Sequence, residues 1–453
     1  MPEVLSEKEI AFEIDKQTLK DIDLFDHSTY GSIFLLLNNT RTIGGKDKLG
    51  IMLRDPLTDI GRLVARRDAI RFFSENEIAM GFTRQELDHM ERYLSLHLSV
   101  LHRNIVDVLL LETKNRLNPT PDYYSITTGI KCTIGVLQKL YAVSSGFLHT
   151  GATPYILEQS RKVLDIITES GLSGIIQTSV DKKIPALQIA ACDHYFRKDG
   201  SSQLRILLEW IYEMDAMGSV ALAVKKHHLC FPDYRAVADS KVKVEGLFHP
   251  LLSVPVGNDL HIERNANLCF VTGANMSGKS TFLKSFGLAI YLAHLGFPVP
   301  ARKMETTIFN GLMTTINLSD NINQGYSHFY SEVKRVRSVA QKIKEKKKIV
   351  VIFDELFRGT NVKDAGDASL LITSAFAGIK NSIFLISTHI VEIAEDLKKY
   401  DNIFFSCFAS SLDGEIPIYN YKLKPGISQE RVGMLIVKNE QIVEILKGVR
   451  EEV

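Results

Sequence analysis

The sequence predicts a chain of two fold classes, an all-α region followed by an α/β domain. Two textures and one motif lead to this reading. Up to about residue 238 the apolar residues recur at three- and four-residue steps, the period of helices with one buried face. Beyond "CFPDY" (230–234) they form short continuous runs rich in branched residues and Phe, as strands buried on both faces of a parallel sheet do. After the first of these runs comes "VTGANMSGKST" (271–281), which fits G-x-x-x-x-G-K-[ST], a loop that wraps phosphate.

The totals suit a folded core and narrow the choices. A chain of 453 residues holds two or three domains, and 45% hydrophobic with 24% charged residues is ordinary for a globular protein. The formal net charge of +1 announces no polyanion partner, so any basic surface is local. Cys132, Cys192, Cys230, Cys269 and Cys407 are scattered, with no CxxC pair and no metal-ligand spacing. Free thiols in a reducing compartment follow. The start, "MPEVLSEKEIAFEID", is acidic and mixed, unlike a signal peptide, and no run reaches the ~18 apolar residues of a membrane span. A cytoplasmic protein with no membrane partner is the expectation. No internal repeat is evident.

In chain order, "DIGRLVARRDAIRFF" spaces Ile60, Leu63, Val64, Ile70 and Phe73 along a helical face, with arginines between. "SSQLRILLEWIYEMDAMGSVALAVKK" repeats the rhythm around Trp210, and "NPTPD", "HTGATP" and "KDGSS" break it. Then "NLCFVTG", "KIVVIFDE" and "NSIFLISTH" read as buried strands alternating with helices. The charge run "KIKEKKK" (342–348) reads as a solvated helix end. "IFFSCFASSLDGEIPIYNYKL" reads as a hairpin turning at Asp413-Gly414. The expected organisation is an N-terminal extension (1–27), a helical domain (28–240) and an α/β domain (241–453).

Within the motif, the glycines let successive backbone N–H groups of Gly273, Ala274, Asn275, Met276, Ser277, Gly278, Lys279, Ser280 and Thr281 face phosphate oxygens. The helix that follows aims its positive end at the same place. Lys279 is placed for the β/γ-phosphates and the Ser280 hydroxyl for Mg²⁺. Asp354 and Glu355 end a later strand. The aspartate suits Mg²⁺, and the glutamate suits orienting and deprotonating an attacking water. "LISTH" ends another strand at His389, where an imidazole could meet the γ-phosphate. No NKxD-type guanine selector is present, so ATP is the expected nucleotide.

Phosphate loop, Asp-Glu strand and His strand, in that order, are the arrangement of ABC-class ATPases. Their sites are completed across a dimer by a serine at a helix start, which "NQGYSHFYSEVKRV" offers as Ser327. More closely, the chain resembles the MutS family of DNA mismatch-repair ATPases. "TGANMSGKSTFLK" is similar to TGPNMxGKSTxLR, "YSHFYSEV" to STFMxEM, "FDELFRGTNVKD" to DELGRGTxxxDG and "STH" to ATH. "GSIFLLLNNTRTIGGKDKLGIMLRDPLTDIGRLVARRDAIRFF" resembles the start of that family's helical core, and the likeness runs over roughly residues 28–440.

The resemblance implies a helical lever joined to an ABC-class P-loop ATPase domain. It implies ATP on Gly273 to Thr281, Mg²⁺ on Ser280 and Asp354, and catalysis by Glu355 with Asp354 and His389. It also implies Ser327 reaching the other subunit's nucleotide in a homodimer, with DNA as partner. Departures are equally legible. A mismatch-reading domain and connector are expected to be missing, the clamp reduced or absent, and no wedge role attaches to Phe73-Ser74-Glu75. Phe357 stands where the family has a glycine, Asn361-Val362 replace Ser-Thr, and Ala365 replaces glycine. Pro255 and Val256 stand where an adenine-facing aromatic precedes N-D-L, so weaker adenine binding or another stacking residue is expected. An ATP-gated module whose lever docks on a protein partner remains the alternative to a DNA-binding one.

Overall fold

The computed structural model describes residues 11–446 apart from 26–30, 77, 79, isolated positions between 102 and 119, 238, 317–327, 414–415, 429–438 and 444. Regular structure runs α1 (Lys16–Asp21), α2 (Ile33–Leu37), α3 (Ile43–Met52), α4 (Ile60–Asn76), α5 (Arg84–Leu94), α6 (Pro121–Phe147), α7 (Pro154–Glu169), α8 (Leu172–Ile175), α9 (Ala186–His194) and α10 (Ser201–Lys226). A π-helical turn, Tyr195–Asp199, joins the last two. No strand precedes β1 (Asp233–Arg235) among the described residues. The chain divides into two compact units: residues 37–55 with 65–225, and residues 1–36, 56–64 and 226–453.

The first unit is all helix. Helix α5 starts with a capping box, Thr83 with Glu86, and α6 starts at Thr120 with Pro121 in its first turn. Buried Asp193 organises the interior. It accepts from the Tyr93 hydroxyl at 2.8 Å, from Arg197 Nε at 2.7 Å and Nη2 at 2.6 Å, and from the Leu101 backbone N–H at 2.8 Å. Such a charge is tolerated inside only because every lone pair has a donor. Asp215 of α10 similarly accepts from the Thr42 hydroxyl at 2.7 Å and from the N–H groups of Arg41 and Thr42, fixing the entry to α3.

The second unit is α/β. After β2 (Lys241–Leu247), β3 (Asn258–Glu263) and β4 (Leu268–Gly273) come α11 (Lys279–His294), β5 (Lys303–Thr307), β6 (Leu312–Thr315) and α12 (His328–Lys346). Then follow β7 (Val350–Phe353), α13 (Val362–Ala377), β8 (Ile383–Ser387), α14 (Ile393–Leu397), β9 (Ile403–Asp413) and β10 (Ile416–Pro425). The main sheet has order β10-β9-β4-β8-β7-β6, parallel except for the β9–β10 hairpin. The runs read as buried strands are β4, β7 and β8, each apolar on both faces. Asp413 pairs with Ile416 across the expected hairpin, whose Gly414 lies outside the described residues. The smaller sheet, β1-β5-β2-β3, was not anticipated. Its signal is alternation, as in β3 with its strict buried–exposed pattern.

Candidate active site

Strand β4 delivers the phosphate loop and α11 receives it. Gly273 adopts φ +147°, and a Cβ there would lie 2.8 Å from the Phe408 carbonyl oxygen. Only glycine fits that approach. Met276 (φ +66°) and Gly278 (φ +105°) complete the turn before α11 begins at Lys279. Lys279 is buried, and its Nζ donates to the carbonyl oxygens of Gly273 at 2.7 Å and Ala274 at 3.0 Å. Burial lowers its pKa, against the pull of the Asp354 and Glu355 charges. The Ser277 hydroxyl is buried in the loop without a hydrogen-bond partner. It is a donor suited to a phosphate oxygen.

The acidic pair follows β7. Asp354 N–H donates to the Thr315 carbonyl at the end of β6, 2.9 Å away, and the Asp354 carboxylate accepts from the hydroxyls of Ser387 and Ser280. Burial nevertheless raises the Asp354 pKa; the two hydroxyls and Lys279 oppose it, and Glu355 adds to it. The pairing joins the phosphate loop to the acidic strand end through Ser280. A hydroxyl beside a carboxylate is the hard-oxygen set that Mg²⁺ takes alongside phosphate. Glu355 has a left-handed backbone (φ +54°), its N–H donates to Ser387 Oγ at 3.1 Å, and its carboxylate lies 3.4 Å from Arg358. Phe357 repeats the left-handed geometry (φ +61°) with its ring buried 5.6 Å from that of Phe329. The position keeps the conformation a glycine favours while carrying a large side chain.

A cavity of about 560 Å³ opens over the loop. Residues 275–282 and Glu355 form one wall; Phe248, His249, Val256, Asn258, Phe408 and Tyr421 line the rest. Tyr421 is a site residue the sequence reading missed. It sits at an irregularity in β10 with φ +55°, directed past Gly278. Asn258 holds it there: its Nδ2 donates to the Tyr421 carbonyl at 3.0 Å and its Oδ1 accepts from Leu423 N–H at 2.8 Å. Thus the asparagine of "GNDL" presents an aromatic from the hairpin to a cavity whose own loop supplies Val256. The clue in the sequence was the paired tyrosines of "YNYK". His249 is nearly buried, and burial pushes its pKa down to about 4.

The structure therefore brings together the loop residues, Asp354 and Glu355. His389 is exposed two residues beyond β8 and is not among the residues lining the cavity. Ser327 lies outside the described residues. Among the described residues no helix is long and apolar enough to cross a membrane.

The sequence matches MutS domain III over residues 13–343 and MutS domain V over residues 269–452. Among curated proteins it is 24% identical to the DNA mismatch repair protein MSH7 of Arabidopsis thaliana, over 96% of this chain and 44% of that protein. It is 28% identical to the DNA mismatch repair protein MutS of Anaplasma phagocytophilum (strain HZ), over 52% of this chain and 29% of that one. The MutS protein homolog 4 of Homo sapiens is also 28% identical, over 50% and 25% respectively. The chain thus spans less than half the length of these relatives. With domain III matched across most of its length and domain V over the phosphate loop and the acidic pair, the chain belongs to the MutS family.

Proposed function

We propose that the chain is a Mg²⁺-dependent ATPase that binds DNA as a homodimer, with ATP binding and hydrolysis switching its grip, in mismatch repair or a related repair or recombination process. The observation that carries the reading is the meeting of Ser280 and Ser387 on the Asp354 carboxylate, beside a phosphate loop whose lysine is already buried among the loop carbonyls. The α/β unit, residues 226–453 with 1–36 and 56–64, is the motor, and the helical unit, residues 37–55 and 65–225, is the lever. The names of the mismatch-repair relatives support DNA as the partner.

In this reading Lys279 and the loop N–H groups hold the β- and γ-phosphates, and Ser277 gives its hydroxyl to one of them. Ser280 and Asp354 hold Mg²⁺, which neutralises charge developing on the phosphate oxygens when bound. Glu355 orients the attacking water and takes its proton. Tyr421 and Val256 flank the adenine, with the tyrosine ring supplying the stacking face. His389, for the γ-phosphate, and Ser327, for the partner copy's site, are assigned on the family's motif order. The left-handed backbone at Glu355 fits a group held in a strained, aimed position.

The test is ATP turnover by the purified chain with and without Mg²⁺. Glu355→Gln is expected to lower kcat by about 100-fold or more while still binding nucleotide, and Lys279→Ala to lose nucleotide affinity. Turnover that survives both substitutions would contradict the assignment.

A further inference from the structure

The N-terminal stretch is built into the ATPase unit. Glu13 N–H donates to the Asn310 carbonyl at 2.8 Å and Leu312 N–H to the Glu13 carbonyl at 2.9 Å, extending the main sheet beyond its edge strand β6. Thr18 and Asp21 are buried polar residues facing the same edge. Thr18 Oγ1 accepts from Thr314 N–H at 3.0 Å; the Asp21 carboxylate accepts from Thr314 Oγ1 at 2.7 Å and from Ile316 N–H at 2.9 Å. These bonds lock the carboxyl end of β6, where Thr315 receives the N–H of Asp354.

Arg335 of α12 closes the circuit. Its guanidinium pairs with Asp15, donates to the Thr314 carbonyl at 2.6 Å and reaches Thr315 Oγ1 at 3.2 Å. One turn earlier on the same helix, Glu332 accepts from Gly359 N–H at 3.3 Å, in the loop that follows Glu355. So α12 is fixed to β6 through Arg335 and to the acidic loop through Glu332.

We propose that Asp15 and Arg335 are positioning residues for hydrolysis: their ion pair fixes the end of β6 and the start of α12, and these hold Asp354 and the 355–359 loop in register. The proposal rests on the reading of Asp354 and Glu355 as the magnesium and water groups. Their bonds run to β6, which holds the Asp354 backbone, and none to the phosphate loop, so the pair acts on turnover and leaves binding alone. A planar fork that serves one carboxylate and two β6 oxygens together is a task an ammonium group cannot copy.

The experiment uses the full chain and measures ATP turnover together with affinity for a non-hydrolysable ATP analogue. Wild type and Glu355→Gln test the reading itself: no turnover in the first, or no loss in the second, removes it whatever Asp15 does. Given turnover, Asp15→Asn, Arg335→Gln and Arg335→Lys are each expected to lower kcat about tenfold or more, with KM and analogue affinity within about twofold. The double variant Asp15→Asn with Arg335→Gln is expected to be no slower than the slower single, because both remove one interaction. The proposal is overturned by unchanged kcat, by analogue affinity falling in step with kcat, by full activity in Arg335→Lys, or by additive losses in the double variant.

Discussion

At the scale of single residues, Asp354 carries its charge against its surroundings. Burial raises its pKa from the ordinary aspartate value despite two hydroxyl donors and a nearby lysine. A carboxyl whose folded pKa is raised contributes stability below its unfolded pKa and loses it as pH rises through the folded value. Above that value the ionised group costs stability, a cost that the proposed Mg²⁺ would offset. Asp354→Asn keeps one acceptor oxygen and turns the other into an amide donor that a serine oxygen can accept, without the charge. It is expected to raise the unfolding temperature in the absence of nucleotide and to lower Mg²⁺-dependent turnover by ~100-fold. Thermal denaturation and phosphate release on the same sample check both; a lower unfolding temperature would contradict the account.

The phosphate loop was legible because its chemistry fixes both residue type and spacing. Tyr421 was hidden because its left-handed backbone carries no glycine to flag it and its anchor, Asn258, lies far off in sequence. Phe357 was visible as a departure, but only its φ explains how the loop keeps its course.

At the scale of elements, buried strands β4, β7 and β8 were readable because a strand covered on both faces must be continuously apolar. The edge was not. Asp15, Thr18 and Asp21 look in sequence like the polar face of a short helix, yet their partners are a guanidinium, backbone N–H groups and a hydroxyl some 300 positions away. Helix α11 holds a second hidden polar element. His294 is fully buried; Phe309 N–H donates to its Nε2 at 2.9 Å, so Nδ1 carries the proton and faces the Ile290 carbonyl at 2.8 Å. Burial depresses its pKa to about 4 from 6.5. A depressed histidine contributes stability that is present above its unfolded pKa and lost as pH falls from about 6.5 toward 4, on the order of 3 kcal/mol in total. His294→Gln is expected to be less stable at pH 7 and to lose less stability over that window, with His249 leaving a residual slope. Urea denaturation at pH 7 and pH 5 measures it. An unchanged pH slope would contradict the burial argument.

At the scale of the molecule, the two compact units are discontinuous in sequence: residues 1–36 and 56–64 belong with the α/β unit. Helical periodicity cannot reveal this, because it reports which face of a helix is buried and not what covers it. The balanced charge likewise gives no global field for a nucleic acid, so the DNA binding proposed above would have to come from local basic groups. The most direct test of the account is equilibrium binding of the chain to single strand, perfect duplex, mismatched duplex and four-way junction, with and without a non-hydrolysable ATP analogue, at two salt concentrations. The account predicts binding to at least one form that weakens steeply with salt and changes when the analogue is added. Salt-sensitive binding to none of them, or affinity indifferent to the nucleotide, would contradict it and direct attention to a protein partner.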